Sequence, residues 1–405
     1  MKILRGGVTA AKGFLAAGIH CGLKKRKEKL DLALIYSNVK ANAAGVYTQN
    51  IIKGNPITVC KEHLVNGIAQ AIVINSGNAN TFSGADGLEK AYKMAEVTAK
   101  SCKIEKENIL VASTGVIGVP LNIEVIENNI DKLTNLLSAK GNRYAREAIM
   151  TTDTIKKEIA VSFLIGDKTV TIGGMAKGSG MIEPNMATTL GFLTTDINIE
   201  QELLSEALKI AVNKSFNRVS VDGDQSTNDT ILILANGLAE NNKIIEKNEF
   251  YNEFLEAITY VLIELAKLIA RDGEGATKLV ECRVIGSKTE AEGVKLAKSV
   301  IKSDLVKTAL FGNDANWGRI LCALGYSGVT FDPNKVRISF ESSKGFIQLF
   351  KDGNPVKFSE EKAKTILEET EITIFVSLEE GQSEAYAFGC DLSYEYVRIN
   401  GDYRT

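Results

Sequence analysis

Thr188 is the residue of this chain whose setting could do chemistry with little outside help. It follows Ala187 and precedes Thr189 in the stretch GGMAKGSGMIEPNMATTLGF, residues 173–192, where four glycines come before a proline and an apolar run follows the threonines. In a strained turn the Thr188 hydroxyl can attack the Ala187 carbonyl and shift the acyl group from nitrogen to oxygen. Water then cuts the ester, leaving a chain that starts at Thr188. The new α-amino group has a reference pKa of about 7.7 to 8.0. Part of it is neutral near pH 7 and can serve as base for its own hydroxyl. Most threonines in such turns are structural, and the Ala-Thr pair alone does not separate the two readings.

The composition agrees with a nucleophile of this kind. The chain has two histidines, His20 and His63, with no cysteine cluster near either. A Ser-His-Asp triad or a zinc site therefore has little to be built from, and no metal is expected. Cys21, Cys60, Cys102, Cys282, Cys322 and Cys390 stand singly, which predicts reduced, buried thiols rather than a disulfide framework. A formal charge of -2 excludes the global field that gathers nucleic acid or a membrane surface. The one basic run, KKRKEK at 24–29, reads as a solvated loop. The N-terminal segment imitates a signal peptide until Lys12 and its glycines interrupt it. No window approaches the roughly 18 apolar residues that span a bilayer, so the expected location is cytoplasmic.

An acyl-transfer nucleophile needs donors for a developing oxyanion. The apolar run Ile109–Ala112 stops at Ser113, Thr114 and Gly115, and the Thr114 hydroxyl with the Gly115 amide is the best candidate pair. An ordinary strand turn is the competing reading.

Several elements must position these residues. A buried strand over Ala71–Ile74 precedes a helix through DGLEKAYKMAEVTAKSCK. Ala160–Ile165 and Thr169–Ile172 predict a hairpin about Gly166 and Asp167. NIEQELLSEALKIAVNKSF reads as a helix capped by Asn198. In the longest predicted helix Phe250, Phe254, Ile258, Val261, Leu262, Leu265 and Ile269 share one face. Gly273 and Gly275 stop that helix where Asp272 and Glu274 lie together. A further helix is expected near Ala291–Lys302, with strands in RISFESS and EITIFVSL. Strands alternating with amphipathic helices make a mixed α/β chain, and 405 residues suggest two or three structural units.

KGSGMIEPNMATTLGFLTTD, VASTGVIG, IMTTDT, ARDGEGATK and GGVTAAKGF, taken in order, resemble the ornithine acetyltransferase / glutamate N-acetyltransferase family of arginine biosynthesis, and matching segments run from residue 6 to the last threonine. The resemblance implies stacked β-sheets flanked by helices, an αββα-like core with a smaller C-terminal α/β part from about 280. It implies a precursor cut between Ala187 and Thr188 into chains 1–187 and 188–405, held together as α2β2. Carried over by motif, Thr188 is the acetyl-accepting nucleophile and Thr114 with Gly115 form the oxyanion pair. Substrate contacts fall on Thr151, Lys177, Thr188, Glu274, Asn400 and Thr405, with Thr152 one register from Thr151. Lys177 suits the α-carboxylate shared by N2-acetylornithine and glutamate, and Glu274 suits an ammonium. Two positions depart from the family pattern: Thr189 stands where a methionine is usual, and Ala11 where a proline is frequent. Neither removes a catalytic group.

The reaction so implied moves acetyl from N2-acetylornithine to glutamate through Thr188, with no cofactor and with acetyl-CoA as an optional co-substrate. An N-terminal-nucleophile amidohydrolase or aminopeptidase of related architecture is the enzyme alternative. A protein that keeps the fold, binds and never cuts itself is the non-enzymatic one.

Overall fold

The computed structural model describes residues 1–183 and 189–402. Ala187, Thr188 and Thr405 lie outside the described residues. The larger sheet is built from β1 (Lys2–Leu4), β2 (Phe14–Ile19), β3 (Leu32–Tyr47), β4 (Ile68–Asn78), β5 (Ile109–Val116), β6 (Lys157–Ile165), β7 (Lys168–Lys177), β8 (Leu190–Thr195) and β9 (Thr230–Ala235). Its order is β1-β6-β7-β8-β9-β3-β4-β5, with β2 also on β3. The long strand β3 joins the two halves. Its first part, from Leu32, pairs with β2 and β4, and its last part, Asn42–Tyr47, pairs with β9, across an irregularity between Tyr36 and Ala41.

Burial follows the alternation of side chains along each strand. Met175, Leu190, Phe192, Leu232 and Leu234 enter one core with β2 to β5 and the Gly87–Cys102 helix. Ile172, Leu193, Ile231 and Ile233 enter a second core beneath the Gln201–Asn213 and Glu249–Arg271 helices. The mixed α/β class with helix-flanked sheets is thus as expected. A second, six-stranded sheet follows: β10 (Leu279–Ser287), β11 (Arg337–Ser342), β12 (Gly345–Lys351), β13 (Asn354–Pro355), β14 (Glu371–Ser377) and β15 (Ser383–Cys390), with its own core against the Glu290–Lys302 helix.

The expected hairpin is present, Ile165 facing Lys168 across the turn. The helix after it does not begin where expected. It spans Gln201–Asn213 with Glu200 at its N-cap position. Asn198 is taken by Asn241, whose side-chain oxygen accepts its N–H at 2.9 Å, and Ile199 bridges Ile244. That pairing holds the chain extended and delays the helix. The basic run is also less solvated than expected. Lys24 folds inward, donating to Leu30 O at 2.7 Å and Met150 O at 2.6 Å, and burial brings its ammonium down to about 8. All six cysteines are free; Cys102 is half-buried and Cys322 is exposed, unlike the buried remainder. Among the described residues no helix is long and apolar enough to cross a membrane.

Candidate active site

The cleft forms where the carboxyl ends of β5 and β7 meet the amino ends of β8 and β9. Parallel pairing of β4 with β5, and of β8 with β9, requires crossover connections, and these carry the site loops past one edge of the sheet. A cavity of about 160 Å³ opens there, lined by Thr114, Gly115, Thr151, Thr152, Lys177, Gly180, Asp222, Asn228, Glu274, Tyr396 and Asn400. Every candidate side chain within the described residues therefore meets in one place. Neither histidine reaches it: His20 Nδ1 lies 2.8 Å from Lys29 O, and His63 Nδ1 lies 2.7 Å from Ile109 O.

Thr114 and Gly115 end β5. The Lys177 Nζ donates to Thr114 Oγ1 at 3.3 Å, so the hydroxyl proton of Thr114 remains free to point at an oxyanion. Gly115 has φ +130, and a Cβ on it would lie 2.4 Å from the Gly77 carbonyl carbon. Backbone conformation and space both demand glycine here. Lys177 sits at the end of β7; burial lowers its affinity for a proton, while Asp153, Asp229 and Glu274 act against that.

The TTDT and RDGEG segments are brought together by a buried ion network. Lys157, fully buried, donates to Asp153 Oδ1 at 2.8 Å and to Asp272 Oδ2. Asp153 also accepts the Gly178 N–H at 2.7 Å and the Thr151 N–H at 2.9 Å. Asp272 accepts the N–H of Thr154 at 3.0 Å and of Ile155 at 3.1 Å, together with the Thr154 hydroxyl. Burial alone would raise Asp153. The Lys157 and Lys177 ammonium groups and the Gly178 amide prevail and hold it well below the usual carboxylate range. Ser179 extends the link: its hydroxyl is 2.7 Å from Thr152 Oγ1, and its carbonyl accepts the Glu274 N–H at 2.9 Å. Thr151 and Thr152 both line the cleft; the Thr151 hydroxyl donates to Asp153 Oδ2 at 3.5 Å, and the Thr152 hydroxyl is engaged by Ser179.

Glu274 enters the cleft because Gly180 lacks a side chain; a Cβ there would lie 2.3 Å from the carboxylate. Asn400 Nδ2 donates to Glu274 Oε2 at 2.8 Å. The Tyr394–Asp402 helix thereby closes on the mouth of the cleft. Tyr396 faces in from the same helix, its phenol pushed up by burial and by Asp222 and Glu274.

Sequence reasoning missed Asp222, Asn228 and Asp229. Asp222 accepts the N–H of Met181 at 2.7 Å and of Ile182 at 2.8 Å. Glu183 Oε1 is held by Lys298 at 3.1 Å and Lys302 at 3.3 Å. The chain leading to residue 184 is thus pinned from two sides. Asn228 ties the crossing segments, donating to Ala79 O at 2.5 Å and Ser113 O at 3.0 Å and accepting from Thr81 and Thr227. The signal for all three was the run VDGDQSTNDT, acids and hydroxyls between two apolar segments, which reads as a solvated turn. Among the described residues no group of three or more His, Cys, Asp or Glu gathers to hold a metal ion.

The relatives of this chain are enzymes of acyl transfer in arginine biosynthesis, and that is its class. A protein of Caldanaerobacter subterraneus named arginine biosynthesis bifunctional protein ArgJ is 50% identical over 405 residues, covering 100% of both chains. A Methanocaldococcus jannaschii protein named glutamate N-acetyltransferase is 48% identical over 414 residues, again covering 100% of both. A solved chain of arginine biosynthesis bifunctional protein ArgJ from Bacillus halodurans is 46% identical with a TM-score of 0.50; the match covers 98% of that chain and 52% of this one. The sequence model described as the ArgJ family matches residues 15–405. The chain belongs to the ArgJ family.

Proposed function

We propose that this enzyme moves the acetyl group of N2-acetyl-L-ornithine to L-glutamate through an acetyl ester on Thr188, after cutting its own chain between Ala187 and Thr188. The observation that carries the reading is the convergence of Thr114, Gly115, Thr151 and Lys177 with Glu274 and Asn400 in one cleft. These residues come from both sides of the proposed cut, and the site needs no histidine.

The chemistry follows from the groups present. The Thr188 amine takes the hydroxyl proton as Oγ attacks the acetyl carbon, and the oxyanion points at Thr114 and Gly115. The C–N bond breaks, the proton goes to the departing ornithine nitrogen, and glutamate then attacks the ester by the reverse path. Lys177 receives the α-carboxylate common to both amino acids, and a charge-assisted pair of this kind is stronger than a neutral one. Glu274, with Asn400 on it, faces the ornithine side-chain ammonium. Thr151 is the favoured threonine of its pair by motif; its hydroxyl has the longer contact, 3.5 Å to Asp153 Oδ2 against 2.7 Å between Thr152 and Ser179. Thr405 lies beyond the described residues, and its proposed substrate contact rests on the motif alone.

The half-length solved relative supports the cut: nearly all of that chain matches just over half of this one, and residues 188–405 are just over half of this sequence. The two pieces stay together as α2β2 in the cytoplasm. Acetyl-CoA serves as a second acetyl donor, in keeping with the bifunctional name of several relatives, and no metal or redox cofactor takes part. The test is Thr188→Ala. One uncut polypeptide without transferase activity is expected, and two fragments or retained activity would overturn the assignment. Acetate released from acetylornithine by the wild type with no dependence on glutamate would favour an amidohydrolase instead.

A further inference from the structure

Lys24 is half-buried, whereas Lys25, Arg26, Lys27 and Lys29 of the same basic run are exposed. Asp31, fully buried, accepts the N–H of Cys21 at 2.6 Å, of Gly22 at 3.3 Å and of Lys24 at 2.9 Å, and so fixes the start of the loop. From there the Lys24 stem runs past Gly77, where the lack of a side chain makes room for it. Gly77 has φ +101, and a Cβ on it would stand 3.1 Å from Lys24 Cγ and 3.4 Å from Leu23 O. Gly77 is also the ladder partner of Gly115. The stem therefore lies against the wall that carries the oxyanion pair.

The ammonium reaches the other wall of the cleft. Nζ donates to Met150 O at 2.6 Å and to Leu30 O at 2.7 Å, and Met150 immediately precedes Thr151, which lines the cleft. Lysine is seldom buried without a paired charge, yet among the described residues no carboxylate forms an ion pair with Lys24. Asp31, Asp153, Lys29 and Lys177 act on it through space, and His20 Nδ1 lies 3.2 Å from Asp31 Oδ2. A positive charge without a direct counter-ion thus stands close enough to Lys177 to be opposed by it.

We propose that Lys24 is a positioning residue for the amino-acid substrates: its two carbonyl bonds hold the Thr151 segment against the Gly77–Gly115 wall, and its charge, added to that of Lys177, strengthens the hold on the substrate α-carboxylate. This rests on the carboxylate role proposed for Lys177. The two contributions separate with pH. An ammonium has three N–H groups and the neutral amine keeps two, enough for both carbonyls. Deprotonation therefore removes the charge and leaves the tether. Burial, aided by Lys29 and Lys177 and opposed by Asp31 and Asp153, brings the ammonium down to about 8. Below that pH both lysines attract the carboxylate, and above it Lys177 acts without the second charge.

The test is the KM for N2-acetylornithine as a function of pH in the wild type, Lys24→Arg and Lys24→Met. The wild-type KM is expected to rise by about threefold to tenfold between about pH 7 and about pH 9, the worth of one partly screened charge. Lys24→Arg, whose guanidinium stays charged throughout, should hold the low KM across that interval. Lys24→Met should start at the raised KM and show no further rise. A wild-type KM that stays level would overturn the proposal, as would wild-type KM values in Lys24→Met or the wild-type rise in Lys24→Arg. So would an equal loss in both variants at every pH, which is what a tether without an electrostatic role predicts. If melting analysis shows one variant unfolded, the other decides by the same criterion. Lys177→Met assayed alongside separates the two failures: a raised KM there with indifferent Lys24 variants sinks only the role of Lys24, whereas an indifferent Lys177→Met sinks the carboxylate assignment beneath it.

Discussion

Replacing Lys157 by methionine is expected to destabilise the protein and loosen its active site together, whereas the same change at the adjacent Lys156 should do neither. Lys157 is fully buried between Asp153 and Asp272; Lys156 is 57% exposed and pairs with Glu147 at 3.0 Å. Removing one partner of a buried ion pair costs about 3–5 kcal/mol, because a charge is left uncompensated. Here both carboxylates keep backbone donors: Gly178 and Thr151 on Asp153, Thr154 and Ile155 on Asp272. The lower end, about 3 kcal/mol, is therefore appropriate. At roughly 2 °C per kcal/mol for a chain of this size, the melting temperature should drop by about 6 °C. An exposed pair is worth about 0–1 kcal/mol, so Lys156→Met should melt with the wild type. Calorimetry of both variants beside acetyl-transfer assays decides the matter. A Lys157→Met protein that melts and turns over like the wild type would refute the network as the scaffold of the TTDT and RDGEG segments, as would an equal loss in Lys156→Met.

Other consequences are open to measurement. Thr114→Ala should lower kcat by about a hundred- to a thousandfold, the usual loss of one oxyanion donor, with KM for acetylornithine little changed; a purely KM effect would remove Thr114 from that role. Lys177→Met should reduce kcat/KM for both amino acids by about tenfold to a hundredfold, the value of a hydrogen bond to a charged group, and wild-type kinetics would contradict the carboxylate assignment. The Asp153 carboxylate keeps its charge in the fold to lower pH than in the unfolded chain. Its contribution to stability is therefore complete above about pH 5 and lost as pH falls through and below the ordinary carboxylate range. Acid titration of the melting temperature should show that loss in the wild type and a smaller one in Asp153→Asn.

Periodic elements were legible and long-range pairings were not. The stripe from Phe254 to Ile269 needs only its own spacing to declare a helix, and Glu249–Arg271 is that helix. The hairpin at Gly166 and Asp167 is equally local. By contrast Asn198 has the side chain of a helix cap, and only its pairing with Asn241 keeps it from being one. Nothing local could reveal that β3 changes partners along its length. In the site, the motif residues Thr114, Thr151, Lys177 and Glu274 stood out through a family pattern, and the fold gathers them. Asp229 did not, because its distinction is a burial that an acid in a polar run does not advertise. Lys156 and Lys157 are the same residue twice, and only tertiary structure tells a surface charge from a buried linchpin.

The proposed mechanism depends on a chain broken immediately before Thr188, which exposes the amine that activates its hydroxyl. N-terminal sequencing and intact-mass analysis of the purified wild-type protein under denaturing conditions test it most directly. Two polypeptides are expected, the second beginning Thr-Thr-Leu-Gly-Phe. A single intact chain, or a second polypeptide that begins at any other residue, would contradict it.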